Sequence, residues 1–435
     1  MTDDSSAAML DDMQRRAFAY FVHETNPANG RVIDTTTAGA PSSIAAVGLG
    51  LTAYPAAVER GFMTRKEAAA RTLTTLRFFW RSKQGPEPDA TGFHGFYYHF
   101  LDMRTGARTW ESELSTVDSA LLIAGMLTAA VYFDGDNETE REIRELAEQL
   151  YARADWHWAL NGGVTLTHGW KPESGFLPYR WQGYDEALVL YVLALGSETH
   201  PIAADSYDAW ATTYEWRAVY DTSYLYAGPL FIHQLSHIWI DFRGIRDAFM
   251  REHNSDYFEN SRRATHVQQQ YAVRNPQGFA AYGTTCWGIT ATNGPGDVMR
   301  VVAGVSREFF GYVARGVPDG PDDGTVAPWG VIASLPFAPE IVLPTMAHLW
   351  RRRPDATHRY GLRTTYNPTF PAADGSADGW VSPYHCGLNQ GPIVVMIENY
   401  RSGLIWNLLR SSSHIVAGLR AAGFTGGWLA ALGVP

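Results

Sequence analysis

The sequence predicts an all-α protein in which paired helices close into a toroid, an (α/α) barrel, with short β-hairpins in its loops. Apolar residues recur with a helical period over most of the chain, while strand-like segments are few and short. Four connections are longer than a compact bundle needs, and long ordered loops usually carry function: 82–113, 155–184, 276–329 and 354–391. A solenoid of helical hairpins is the alternative, but it should show a fixed repeat, and the sequence has none.

The helical segments begin at recognisable capping residues. The first covers 9–24, the second follows Pro-Ser-Ser at 43–59, and the third, 65–81, follows Thr64 with Glu67 three residues on, the pattern of a capping box. The others are predicted at 114–132, 138–154, 185–196, 206–219, 229–241, 256–273, about 330–350, 392–410 and 412–422. The strand-like segments, GFYYHFLD, GVTLTHGW and REFFGYVARG, are typical of hairpins inside connections.

No linker divides the chain, so we expect a tail at 1–8 followed by one domain at 9–430.

Composition excludes several classes of protein. Of the 435 residues, 46% are hydrophobic and 18% charged, which is typical of a globular domain. The net charge of −10, without runs of like charge, argues against nucleic acid or an anionic membrane as a partner. The two cysteines are far apart, and no apolar run is long enough to span a membrane. The acidic N-terminus lacks a leader pattern, which favours a cytoplasmic location, or a periplasmic one if a leader was removed. Oligomeric state is left open.

Aromatic residues are unusually frequent, at 13% with 15 Trp and 22 Tyr. Many stand beside polar residues in loop-like segments, as in Trp110-Glu111 and His168-Gly169-Trp170. A buried indole needs a partner for its N–H, so packing alone does not account for so many tryptophans. Flat apolar rings next to hydrogen-bonding groups suit the faces and hydroxyls of sugars, although aromatic-rich packing of a large helical protein is the alternative.

Acidic residues stand at four points where loops lead into apolar helices. The clusters are Glu111, Glu113 and Asp118; Asp185 and Glu186; Glu340; and Glu398. Acids in a first helical turn are stabilised by the helix dipole by about 0.3–1 kcal/mol, so plain capping competes with catalysis for the first two clusters. A carboxylate inside an apolar helix is costly unless paired, and Arg401 is a candidate partner for Glu398.

Cleavage of a glycosidic bond requires this residue type in pairs. One acid protonates the leaving oxygen and a second carboxylate acts as base or nucleophile, about 6.5–9.5 Å away in inverting enzymes and about 5–5.5 Å in retaining ones. The acid should be buried enough to keep its proton near neutral pH. Glu186, at the edge of an apolar helix and next to Tyr184, fits that requirement better than Glu111.

Other chemistries have weaker signals. His233 and His237 are four residues apart with Asp241 one turn on, a spacing that suits a metal, but the glutamate of an HExxH motif is missing. Gln234, Asp241 and Arg243 suit hydroxyl binding equally well. The segment GPDDGTVAP lacks the spacing of a calcium loop and is interpreted as a turn. We therefore predict no metal and no cofactor.

Several segments closely resemble the bacterial glycoamylase-like domain family, which includes the endo-β-1,2-glucanases of glycoside hydrolase family 144. The likeness covers about residues 9–428 and rests on SSIAAVGLGLTAYPAAVERG, ELSTVDSALLIAG, HGWKPESGFLPYRWQGYDEALVLYVLALGS, YAGPLFIHQLSHIWIDFRG, YFENSRRATHVQQQYAVRNP, SLPFAPEIVLPT and NQGPIVVMIENYRSGLIW. The resemblance implies a single (α/α)6 barrel with a glucan-binding cleft and no metal cofactor. It also implies action on β-1,2-glucan or its oligosaccharides, such as sophorose, with inversion.

The resemblance carries the general acid over to Glu186, in agreement with the choice made from the residues. The second carboxylate does not carry over, because the family pattern Asp-Gln-Gly is here Asn389-Gln390-Gly391. Asparagine cannot act as a base. The base would then be Glu113, Asp118, Glu340 or Asp378.

The sequence thus predicts an inverting β-1,2-glucan hydrolase. Aromatic platforms are expected at Trp110, Trp170, Trp181 and Trp287, and hydroxyl-binding groups at His99, His168, Arg180, Gln234, His237, Arg243, Asn389 and Gln390. A transglycosylase or a glycosidase of another linkage on the same fold is one alternative. A non-catalytic glucan-binding protein, suggested by Asn389, is another.

Overall fold

The computed structural model describes residues 3–352, 358–372, 375 and 379–432. Helices dominate this part of the chain. They are α1 (Asp3–His23), α2 (Ile44–Glu59), α3 (Arg65–Arg81), α4 (Thr116–Tyr132), α5 (Glu138–Arg153), α6 (Trp156–Ala159), α7 (Leu188–Leu195), α8 (Ala204–Ala211), α9 (Ala248–Glu252), α10 (Tyr257–Arg274), α11 (Pro328–Ala333), α12 (Pro339–Arg352), α13 (Gly387–Arg401), α14 (Leu404–Leu409), α15 (Ser413–Ala421) and α16 (Gly427–Ala431).

The strands are short, and none in the described ranges exceeds five residues. They are β1 (Ser42–Ser43), β2 (Gly92–Phe93), β3 (Phe96–Tyr98), β4 (Phe100–Leu101), β5 (Leu114–Ser115), β6 (Gly169–Lys171), β7 (Gly175–Phe176), β8 (Trp216–Val219), β9 (Thr222–Leu225), β10 (Ala291–Thr292), β11 (Val298–Val302), β12 (Val305–Phe309), β13 (Val313–Ala314), β14 (Tyr366–Asn367) and β15 (Trp380–Val381). One antiparallel sheet has the order β2-β3-β5-β6-β7, and the other strands pair in twos. The prediction of a helical protein with hairpins in its loops is therefore confirmed at the level of a helix-rich fold.

The centre of the molecule is formed by α2, α4 and α13, which are buried on nearly every side. α2 packs against both of the others. At the crossing of α2 and α4, a Cβ on Gly48 would lie 2.3 Å from the Leu121 carbonyl oxygen, and one on Gly125 would lie 2.2 Å from that of Gly48. The two helices can approach this closely only because both positions are glycine. No helix in the described ranges combines the length and apolarity that a membrane crossing requires.

Four predicted helices differ from the structure. The segment predicted as one helix at about 330–350 is divided into α11 and α12 by a turn that follows Ala333. The segment predicted as helix 206–219 is helical only to Ala211, and Trp216–Val219 forms a strand paired with β9. The segment 229–241 forms two 3₁₀ turns, Leu230–His233 and Leu235–Ile238, because Gln234 leaves the helical conformation between them. The segment 392–410 is divided into α13 and α14, because Gly403 adopts a left-handed conformation with φ of 67°. In addition, α1 begins at Asp3, within the predicted tail.

Glu398 is a buried structural carboxylate rather than a catalytic one. It is 1% exposed and accepts bidentate hydrogen bonds from Arg60 at 2.7 and 2.8 Å, with further bonds from Gln14 and Ser402. Its partner is thus Arg60, not Arg401 as the sequence suggested. Burial acts to raise the pKa of Glu398, but the Arg60 hydrogen bonds and the others outweigh it and hold this pKa below its ordinary value.

We expect Glu398→Gln to lower the free energy of unfolding by about 3 kcal/mol, because it breaks a buried ion pair. The stabilisation is present above the ordinary carboxyl pKa and is lost as the pH falls through the lowered pKa of the folded state, so the difference between the two proteins should shrink in acid. Urea unfolding at neutral and acidic pH measures this. The control is Glu142→Gln, which breaks the exposed pair with Arg77 and should cost less than about 1 kcal/mol. A neutral effect of Glu398→Gln would contradict the assignment.

Candidate functional site: a cavity at converging helix ends

The starts of four buried helical segments meet at one cavity of about 200 Å³. Its walls include residues from the first turns of α4, α11 and α13 and from the turn that precedes α7. Acidic or polar positions among them are Asp118, Glu186 and Asn389, and Trp329 supplies an apolar wall. Residues distant in sequence are thereby brought together at one cavity.

Asp118 is positioned by the way α4 begins. Ser115 caps the helix: its Oγ accepts a hydrogen bond from the Asp118 N–H at 3.2 Å and donates one to Asp118 Oδ2 at 2.6 Å. Ser115 is fixed in turn because it lies in β5, paired with Tyr97 on one side and Gly169 on the other. Asp118 is therefore both part of the helix start and a wall of the cavity, 9% exposed.

His99 links Asp118 to Glu113. Its Nδ1 lies 2.9 Å from Glu113 Oε1 and 3.6 Å from Asp118 Oδ2, and its ring stacks on Phe100 at 4.0 Å. Burial alone would lower the pKa of His99, but the charge of Asp118 and the hydrogen bond with Glu113 raise it to about 9. Burial would raise the pKa of Glu113, yet its bond with His99 holds this pKa below the ordinary value. At neutral pH the cluster therefore contains a protonated imidazole.

The two adjacent carboxyls of the YDEA segment have different roles. Asp185 Oδ1 accepts hydrogen bonds from the Ala187 N–H at 2.9 Å and from Trp210 Nε1 at 3.2 Å, so it fixes the turn into α7. Glu186 lines the cavity. Burial, with a smaller contribution from the charge of Asp118, raises the pKa of Glu186 to about 7. Burial and the charge of Glu186 raise the pKa of Asp185 well above its usual value. Glu186 is thus the carboxyl that can hold and release a proton near neutral pH at the cavity wall.

One acidic residue near this site was missed from the sequence. Asp34 lies in the loop between α1 and α2, where its carbonyl accepts the Gly387 N–H at 2.8 Å and Thr35 pairs with Cys386 at the start of α13. Burial raises the pKa of Asp34 to about 6, with opposing effects from His99 and Asp118. Its sequence context, VIDTTT, contains no helix start or apolar run that would have marked it.

One cluster has the composition of a metal site. The ligand atoms of His99, Glu113 and Asp118 lie within 4.8 Å of one another. A metal would require His99 Nδ1 to be free of its proton. The raised pKa of His99 keeps a proton there at neutral pH, and that proton already bridges to Glu113. The 2.9 Å contact between His99 Nδ1 and Glu113 Oε1 fits a charge-assisted hydrogen bond, and the same atoms have the chemistry of metal ligands.

Some predicted sugar-binding residues lie at or beside the cavity. His99 and Asn389 are part of its wall. Trp110 is 64% exposed, and its ring lies 5.1 Å from that of Phe100, which stacks on His99. His168 stacks on Trp181 at 3.8 Å, and the Trp181 indole N–H donates to Thr116 at the start of α4. Trp170 is half-buried in β6 opposite Leu114.

The structure does not bring the other predicted residues to the cavity. Glu340 is an exposed partner of Arg262 and His266. Arg180 donates to the Leu160 and Thr165 carbonyls, and Gln234 to the Gly330 carbonyl and Ser334. His237 contacts Ser261, and burial lowers the pKa of His237 to about 3. Arg243 forms an ion pair with Asp241. Trp287 is buried with its indole N–H on Thr345, and Gln390 is 1% exposed. Asp378 lies outside the described residues.

The cavity also contains residues that sequence analysis overlooked. Phe231 and Leu235 come from the 3₁₀ turns, and Asn293 and Tyr312 come from the excursion between α10 and α11. Their common signal is weak. Phe231 and Leu235 lie in a segment predicted as a regular helix, and Tyr312 lies in a segment predicted as a hairpin, so only the tertiary fold brings them to the helix ends.

Comparison with known proteins agrees with this architecture. The family model Glycoamylase, described as "Putative glucoamylase", matches residues 178–413. A solved structure described as a "putative glucoamylase" from Bacteroides uniformis is 30% identical, with 97% of this chain and 98% of that chain covered and a TM-score of 0.85. An endo-β-1,2-glucanase from Chitinophaga pinensis, solved with sophorotriose and glucose, is 25% identical, with 97% and 99% covered and a TM-score of 0.85.

A curated relative is the exo β-1,2-glucooligosaccharide sophorohydrolase (non-reducing end) of Parabacteroides distasonis. It is 28% identical over 456 residues, and 97% of this chain is covered. The chain spans 58% of the length of that relative. The family match covers more than half of the chain, and the full-length structural likeness agrees with it. The chain therefore belongs to the glycoamylase-like family.

Proposed function

We propose that this protein hydrolyses β-1,2-linked glucan or its oligosaccharides, the sophorose series. The observation that carries the proposal is Glu186, a carboxyl with a pKa of about 7 that shares a cavity wall with a second carboxyl, Asp118. Such a pair is what glycosidic cleavage requires. The substrate class is supported by the relatives named for β-1,2-glucan and its oligosaccharides, which match nearly the whole chain.

In the proposed reaction, Glu186 donates its proton to the glycosidic oxygen as the bond from that oxygen to the anomeric carbon breaks. A water molecule attacks the anomeric carbon from the opposite face and loses a proton to Asp118, either directly or through a substrate hydroxyl. The configuration at that carbon is inverted. Glu186 ends ionised and Asp118 protonated, and exchange with solvent restores both. The imidazolium of His99, 3.6 Å from Asp118, places a positive charge beside the carboxylate that must be negative to accept a proton.

The fold that we infer for this chemistry is a single (α/α)6 barrel within residues 9–430. Support comes from the buried helices α4, α7, α11 and α13, whose N-terminal ends meet at the cavity. A barrel of helix pairs delivers carboxylates from distant points of the chain to one opening. The family resemblance implies the same architecture.

We propose that Trp110 is a sugar-binding platform at the entrance. Both Trp110 and Glu111 have positive φ, 58° and 48°, a conformation that side chains disfavour. Arg108 holds this turn by donating to the carbonyls of Glu111 and Ser112, and it is itself paired with Glu173. An exposed tryptophan in a turn fixed in this way is prepared to stack on a sugar ring.

We expect Trp110→Ala to raise KM about three- to tenfold with little change in kcat, because a lost aromatic contact costs about 0.5–1.5 kcal/mol. Steady-state kinetics on β-1,2-gluco-oligosaccharides measure the change. The matched control is Trp80→Ala, since Trp80 is a partly exposed tryptophan on α3 that contacts Arg153 and does not line the cavity. Equal effects of the two replacements would contradict the proposed platform.

The function itself is tested with linear β-1,2-glucan. The proposal predicts release of reducing sugar, and NMR of the first products should show the α-anomer, as inversion requires. Cyclic or elongated products would instead identify a transglycosylase. Absence of any product from linear β-1,2-glucan and from sophoro-oligosaccharides would refute the hydrolase.

A further inference from the structure

Tyr312 lies on the excursion formed by β10 to β13, residues 291–314, and lines the same cavity as Glu186 and Asp118. The residue as a whole is nevertheless 70% exposed. A large aromatic side chain is usually covered, so an exposed ring at the wall of a cavity indicates a surface that a bound molecule would cover.

The phenol of Tyr312 faces negative charge. Burial is the largest effect that raises the pKa of Tyr312, although the residue as a whole is largely exposed, and the charges of Glu186 and Asp118 add to it. The hydroxyl therefore keeps its proton at neutral pH and remains a donor. No hydrogen bond joins it to any residue in the described ranges. It is thus available to a ligand oxygen held beside the two carboxyls.

The turn that carries Tyr312 is held by a buried ion pair. Arg315 and Asp323 are both fully buried, and the Arg315 guanidinium donates to Asp323 at 2.7 and 2.8 Å. The same guanidinium donates to the carbonyls of Thr292 and Phe310, while Asp323 accepts the Phe310 N–H. The GPDDGTVAP segment is therefore more than a turn, because it fixes the backbone on both sides of the cavity-lining tyrosine.

We propose that Tyr312 is a substrate-binding residue that covers the glucosyl unit held beside Glu186 and donates a hydrogen bond to one of its oxygens. This inference rests on the proposed function, since it assigns a contact within the same site. Tyr312 would be a specificity-determining group that comes from the segment 291–314, which is distant in sequence from both Glu186 and Asp118.

The kinetic test is Tyr312→Phe, which removes only the hydroxyl. We expect kcat/KM on sophoro-oligosaccharides to fall about three- to tenfold, the range for one hydrogen bond. Tyr312→Ala should fall further, because the ring is lost as well. The control is Tyr400→Phe, near the opposite end of α13 from the cavity-lining Asn389, with kcat/KM expected within about twofold of the unmodified protein. If Tyr312→Phe behaves like Tyr400→Phe, the proposed contact is refuted.

A second test does not depend on turnover. In protein labelled with ¹³C at tyrosine Cζ, the Tyr312 signal is identified by its loss in Tyr312→Phe. Replacement of Glu186 by Gln should then shift the Tyr312 titration towards the ordinary tyrosine range, because a neighbouring negative charge is removed. An unchanged titration would overturn the placement of the phenol. Hydrolysis of β-1,2-glucan by the unmodified protein decides the proposed function separately, so the two failures are distinguishable.

Discussion

Replacement of Glu186 by Gln is expected to lower kcat on β-1,2-gluco-oligosaccharides by about 10²–10⁴-fold, the usual contribution of a general acid. Glutamine keeps the shape of the side chain but cannot donate a proton to the leaving oxygen. KM should change little, because the cavity walls are retained. Initial rates on oligosaccharides of defined length measure both constants.

The matched control for this experiment is Glu340→Gln. From the sequence, Glu340 was a candidate for the second carboxylate, but it is an exposed partner of Arg262 and His266. The Glu340→Gln variant should retain a kcat within about twofold of that of the unmodified protein. Survival of turnover in Glu186→Gln within about tenfold, or a larger loss in Glu340→Gln, would contradict the assignment.

The pH dependence follows from the same group. Glu186 must be protonated to act, and its pKa is raised to about 7, so kcat/KM should fall as the pH rises through about 7. In Glu186→Gln this alkaline limb should be absent from the residual activity. If the alkaline fall in kcat/KM persists unchanged in Glu186→Gln, it reports the ionisation of another group, and Glu186 is not the general acid.

The second large effect is expected for Asp118→Asn. Asparagine preserves the hydrogen bond from Ser115 but cannot take a proton from water, so kcat should fall at least about 10²-fold. Binding of sophoro-oligosaccharides, measured by calorimetry, should be retained. This variant separates the two candidate bases at the start of α4.

The variant to compare with Asp118→Asn is Glu113→Gln, which removes the charge of the other candidate base. Glu113 contacts His99 and is not among the cavity-lining residues, so we expect it to affect the reaction only through the imidazole. We expect a loss of about tenfold in kcat. A loss in Glu113→Gln that exceeds that in Asp118→Asn would exchange the roles of the two carboxyls.

The sequence predicted the acids that line the cavity because they share a local signal. Glu186 and Asp118 both stand at the start of an apolar helix, and that position combines burial with access to a loop. A related signal, a carboxylate within or beside an apolar helix, also marked Glu398 and Glu340, whose partners, Arg60 and Arg262, come from distant parts of the chain. Only the tertiary structure distinguishes a carboxyl that lines a cavity from one that closes an ion pair.

Fewer of the residues expected to bind sugar lie at the cavity, for a related reason. Trp110 and Trp287 both follow polar or small residues, yet Trp110 is exposed and Trp287 donates its indole N–H to buried Thr345. The partner of an indole is set by long-range packing. Tyr312 was missed because the buried pair of Arg315 and Asp323, which positions it, has no periodic signature.

The central claim is that the proton for the departing sugar comes from residue 186. The most direct measurement is a crystal structure of Glu186→Gln with a bound β-1,2-gluco-oligosaccharide that spans the cavity. In this structure we expect the carboxamide introduced at this position to lie within hydrogen-bonding distance of one glycosidic oxygen, with Asp118 on the other side of the adjoining sugar ring. A chain bound with that carboxamide directed away from every glycosidic oxygen would contradict it.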